Sequence, residues 1–211
     1  MSMEIFSLLT KVIIICFSII GIYYKSGLAN GKFKKVSFIY FTNLCLIFCL
    51  IYFISSIIFS NSDLLIDFIG FIIICVTVTM TVYHFILIPN KQKTGKDYEI
   101  FSFSDIVVHY LVPLLTIIYW TIFVEKGHFE FYFPLFWVIP FLVYFVFILI
   151  RARYGSYLEY TKTRYPYDFI DVDKLGVKKT CLNLIIVSSL IIILGYIFLI
   201  VDFLLNKISL F

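Results

Sequence analysis

The chain has 211 residues, of which 62% are hydrophobic and only 14% charged, and its mean hydropathy is +1.04. A soluble domain carries about 45–50% apolar and about 25% charged residues, so this composition excludes an ordinary water-soluble fold and puts the chain in a bilayer. The net charge of +4 is small and confined to a few loops; it reads as membrane topology, with no nucleic-acid partner expected.

A membrane span needs about 17–25 apolar residues. Six runs qualify: 5–25, 36–60, 64–89, 103–124, 131–151 and 180–204. The expected fold class is an all-α membrane protein, a six-transmembrane-helix bundle forming one domain over 1–211. Lys and Arg fix the expected orientation. The first loop carries Lys25, Lys32, Lys34 and Lys35, the third Lys91, Lys93 and Lys96, and the fifth Arg151, Arg153, Lys162, Arg164, Lys174, Lys178 and Lys179. The second loop has none and the fourth only Lys126, so loops one, three and five are expected in the cytoplasm and both termini outside.

Run 1 has Lys11 about two turns from its start, where a lysine at an interface snorkels to water, here beside Glu4. That acidic start, with no small-residue cleavage site after the apolar run, does not fit a cleavable signal. Run 2 carries Tyr40, Phe41, Thr42 and Asn43 near its start. Run 3 has Thr77, Thr81 and His84 at helical spacing, a polar stripe on one face, and Pro89 ends it. Ser102 and Asp105 form a capping-box pattern for run 4. Asp105 and His109 are four apart and share a helix face, and Pro113 frees a backbone carbonyl one turn back. Run 5 ends in Arg151-Ala152-Arg153, either interface anchors or ligands for a lipid carboxylate or phosphate. The loop after it contains Tyr165-Pro166-Tyr167-Asp168-Phe169, an aromatic cap over the helix ends that can also gate a substrate. All five cysteines lie in or beside apolar runs without Cys-x-x-Cys spacing, which points to thiols and neither disulfides nor zinc.

Depth links three of these residues. At 1.5 Å per residue, Thr42, His84 and His109 all lie roughly 7–10 Å below the cytoplasmic ends of their helices. Ionisable groups at such depth face the bundle interior or a wet cavity and mark function. Thr42 and His109 supply a nucleophile and a general base, with Asp105 as orienter. His84, Tyr83 or Asn43 could stabilise an oxyanion. The same residues also fit other classes: a bis-histidine haem or metal site on His84 and His109, or a non-catalytic lipid-binding, transport or scaffold protein in which they are buried interhelical polar groups.

Six spans, Phe41-Thr42-Asn43, Tyr83-His84, His109 with Pro113, and Tyr165-Pro166-Tyr167 together resemble the androgen-induced and androgen-dependent multipass membrane hydrolases and their bacterial six-helix relatives. The resemblance covers about residues 36–173. It implies hydrolysis of fatty acid esters of hydroxy fatty acids, with Thr42 and His109 in the positions of the family's threonine and histidine. The expected site has Thr42 and His109 as catalytic residues and, from the reading of the residues above, Asp105, His84, Asn43 and Tyr83 as supporting residues. Arg151, Arg153 and Tyr167 would bind lipid. The expected substrate is a membrane lipid or fatty-acyl ester, no cofactor or metal is expected, and the location is a bacterial plasma membrane.

Overall fold

Each apolar run becomes a helix because a backbone without water must satisfy its N–H and C=O groups internally. The computed structural model describes residues 2–59, 62–89, 101–158 and 162–209, with only the backbone of Ser2, Asp63 and Ser209. The spans are α1 (Ser2–Lys25), α2 (Phe41–Ile58), α3 (Leu64–Leu87), α4 (Phe103–Phe123), α5 (Phe133–Tyr154) and α6 (Val177–Ser209). All six are long and apolar enough to cross a membrane, and no strand occurs among the described residues. The protein is a multipass, all-helical membrane protein. Residues 90–100 of the loop after run 3, which carry Lys91, Lys93 and Lys96, lie outside the described residues.

The chain folds as two compact units, Met1–His128 and Phe129–Phe211. In the first, α3 is the most buried span, at 61%, against 17% for α1, so α3 forms the core while α1 keeps a broad lipid-facing surface. Helix α1 packs on α2 and α4, and α3 packs on the same two helices. Close approach of α1 depends on Gly21. A Cβ there would stand 2.7 Å from Val108 Cγ1 and 3.3 Å from Leu46 Cδ1. Small residues bring membrane helices together in this way, since helix contact in lipid rests on van der Waals packing.

Two helices contain a π turn. In α3 it spans Tyr83–Leu87, with the Ile88 N–H reaching the Tyr83 carbonyl. In α4 it spans Val107–Leu111, with the Val112 N–H reaching the Val107 carbonyl. The second lies directly before Pro113, whose ring nitrogen has no proton to continue the α ladder. A π turn inserts extra backbone and re-aims the side chains around it, and such turns occur frequently at functional sites. Here they carry Tyr83 with His84 and His109 with Tyr110.

In the second unit, the segment between α5 and α6 is tied to both. Arg151 donates to the carbonyls of Arg164 (2.6 Å) and Ser156 (2.8 Å). The Asn183 amide on α6 donates to the Phe169 carbonyl at 2.8 Å. Asp171 caps the short helix Val172–Leu175 by accepting from the Lys174 N–H at 3.0 Å.

Candidate functional site

The site grows from the loop between α1 and α2. Gly27 turns the chain with φ +79°, and a Cβ there would lie 2.3 Å from the Lys32 carbonyl oxygen, so only glycine fits. The turn returns the chain to α1, where the Ser37 hydroxyl donates to the Lys25 carbonyl at 2.6 Å. The buried Asn43 amide then donates to both the Ser37 carbonyl and the Ser37 hydroxyl, each at 2.7 Å. Asn43 is thus committed to fastening the start of α2 to the loop, a role that competes with stabilising an oxyanion.

Asp105 is fully buried, and the Lys25 ammonium meets its carboxylate at 2.5 Å. These residues are 80 apart in sequence, and no local spacing announced the pair. The capping pattern at Ser102 is half realised. The Asp105 N–H donates to the Ser102 hydroxyl at 3.3 Å, while the Asp105 side chain turns to Lys25 and α1. A buried carboxylate in an apolar medium needs a partner of opposite charge, and that need outweighs the weaker cap.

His109 is buried, and its ring lies parallel to Tyr83, 3.9 Å between centroids and 5° between planes. Tyr83 is buried as well, beside Asp105. Three helices therefore supply Lys25, Tyr83, Asp105 and His109 to one polar cluster. His84 stands outside it. His84 is exposed, and its Nδ1 lies 2.9 Å from the Tyr110 hydroxyl, which sits on the rim. The α spacing that would carry the Thr77–Thr81 stripe on to His84 stops at Val82, where the π turn begins, and Tyr83 takes the inward position.

Thr42 is half-buried in the first turn of α2. It precedes Leu46 by one turn on the same face, and Leu46 borders the Gly21–Val108 contact of α1 with α4. Thr10, Thr81, Thr116 and Thr121 each donate to the carbonyl four residues back, the usual fate of a hydroxyl in a membrane helix. Among the described residues the Thr42 hydroxyl makes no hydrogen bond. Its place in the first turn explains this, because the extended Tyr40 breaks the chain between the 3-10 turn Lys35–Ile39 and α2, so no continuous helix runs behind it.

The lipid-binding candidates belong to the second unit. Arg151 is occupied by two loop carbonyls, Arg153 is exposed with its guanidinium 5.9 Å from the Tyr154 ring, and Tyr167 stacks on Phe169 at 5.4 Å. Among the described residues no group of three His, Cys, Asp or Glu side chains converges as a metal site. Comparison with known proteins found no matching family model, no matching curated protein and no matching solved structure.

Proposed function

We propose that the chain is an intramembrane acyl-ester hydrolase acting on a lipid-like fatty-acyl ester, with Thr42 as nucleophile and His109 as general base. The observation that carries this reading is the Thr42 hydroxyl, left without the carbonyl bond that occupies Thr10, Thr81, Thr116 and Thr121, on the face of α2 that meets α1 and α4; among the described residues the buried Thr77 hydroxyl on α3 shares that unbonded state. His109 supports it as a buried imidazole held flat against Tyr83, whose phenol lies beside Asp105.

In the proposed reaction His109 takes the Thr42 proton as the oxygen attacks the ester carbonyl. The alcohol leaves with that proton, giving an acyl-threonine. Water, deprotonated by the same imidazole, then releases the fatty acid. Tyr83 is the proposed donor to the developing oxyanion, and Lys25 with Asp105 fixes the α1–α4 spacing around the site. The distribution of Lys and Arg supports a pocket facing the cytoplasmic leaflet, with both termini outside, in a plasma membrane.

A non-catalytic lipid-binding or scaffold role is the second reading. The Lys25–Asp105 and Asn43–Ser37 bonds favour it, because they spend polar groups on joining α1 to α4 and on fastening the start of α2 to its loop. Fatty-acyl ester hydrolysis by purified protein in nanodiscs separates the two. Thr42→Ala and His109→Ala should each lower kcat/KM by at least about a hundredfold. Equal rates in wild type and both variants would remove the enzymatic proposal.

A further inference from the structure

We infer that the first unit holds a second site, independent of the one above, that binds the anionic head of an acyl-chain amphiphile on Lys11. A cavity of about 710 Å³ opens where α1 and α3 begin and α2 and α4 end. Lys11 and Lys25 are 14 residues apart on α1, so this cavity lies about 21 Å along the helix from the Lys25–Asp105 pair. Its volume is within the range of small-molecule sites, about 300–1,000 Å³.

The Lys11 side chain is half-buried and lines this cavity. Its ammonium turns across to α2, donating to the Ser56 carbonyl at 2.8 Å, and lies 5.8 Å from the centre of the Tyr119 ring on α4. An ammonium has three donors, and among the described residues that carbonyl takes one. No carboxylate lies within ion-pair reach of it among the described residues. A cation with donors to spare inside a membrane-level cavity calls for anionic oxygens, and a phosphate or carboxylate supplies them.

The walls specify the rest of the ligand. Leu8, Ile57, Phe59 and Ile122 line the cavity while each remains more than a third exposed, so the space opens sideways onto the lipid-facing surface. An acyl chain can lie between these side chains while its head reaches Lys11. Glu4 and Glu125 also line the cavity, and their charge disfavours entry of a small water-borne anion from the end. The ligand is therefore an amphiphile arriving from the bilayer, either a fatty acid or an anionic phospholipid.

Electron paramagnetic resonance on the full chain in phosphatidylcholine vesicles tests this. The probes are doxyl-stearate at alkaline pH, its uncharged methyl ester, and doxyl-phosphatidic acid. Wild type should immobilise stearate, phosphatidic acid or both in preference to the ester, and the probe retained identifies the source of the head. Lys11→Gln should lower that preference about fivefold, the factor one interfacial lysine charge carries, and Lys11→Arg should retain it. Ile57→Trp, which fills the cavity and leaves Lys11 in place, should abolish it. Circular dichroism and melting establish that each variant is folded. No preference for charged probes in wild type, or a preference that survives both Lys11→Gln and Ile57→Trp, would overturn the inference.

Discussion

At the scale of single residues, the buried Lys25–Asp105 pair decides how the polar cluster behaves. Removing one partner strands the other charge in an apolar interior, which costs about 3–5 kcal/mol. Asp105→Ala and Lys25→Ala should each lower the melting temperature in detergent strongly. A Lys25→Met, Asp105→Leu double variant should melt closer to wild type than either single change, and a simple sum of the two losses would show that the pair is not coupled. Tyr83 acts through its ring. Tyr83→Phe should keep the stack on His109 and most of the stability, whereas Tyr83→Ala should lose about 3–5 kcal/mol, as buried aromatic truncations do. If Tyr83→Phe retains stability but loses ester hydrolysis, the hydroxyl has a chemical role beyond packing.

At the scale of elements, the approach of α1 and the π turn of α4 set the geometry of the cluster. Gly21→Leu would drive a side chain into Val108 and Leu46. Overpacking of this kind costs about 1–3 kcal/mol, so the variant should melt lower, and a melting point equal to wild type would refute the close contact. Deleting Leu111 should restore regular α spacing before Pro113 and turn Asp105 and His109 by about 100° relative to the rest of α4. That variant should behave like Asp105→Ala in the same melting assay. In the α5–α6 segment, burial lifts the Tyr165 phenol above its ordinary value of 10.0, with Asp173 and Asp171 acting in the same direction. The folded segment keeps this proton longer than the unfolded chain does. Its contribution to stability is therefore complete below the ordinary tyrosine range and falls as pH rises through it. Limited proteolysis should find the segment more susceptible at strongly alkaline pH than at neutral pH, with Tyr165→Phe less affected.

At the scale of the whole molecule, the charge distribution predicts the topology. Cysteines introduced at Lys32 and Lys162 should resist membrane-impermeant reagent on intact cells, and one at Glu130 should react; the opposite pattern would invert the proposed orientation. The six spans were legible in the sequence, because twenty-residue apolar runs have no other solution in lipid and each forms from local backbone bonds. That Asp105 and His109, both buried, are polar groups set inside a span was legible too. Their partners were not. Lys25 looked like a loop charge until packing set α1 against α4, and Tyr83 took the place expected for His84 because a π turn leaves no periodic trace in sequence. Asn43 and Arg151 looked like site residues and are engaged by loop carbonyls. The turn between α4 and α5 is shorter than the connections on either side of it and gave no sign of a division at His128. Sequence alone determined which segments enter the membrane, because that depends on the transfer of each segment by itself. Tertiary structure decided which polar side chains meet, because that depends on contacts between helices far apart in the chain.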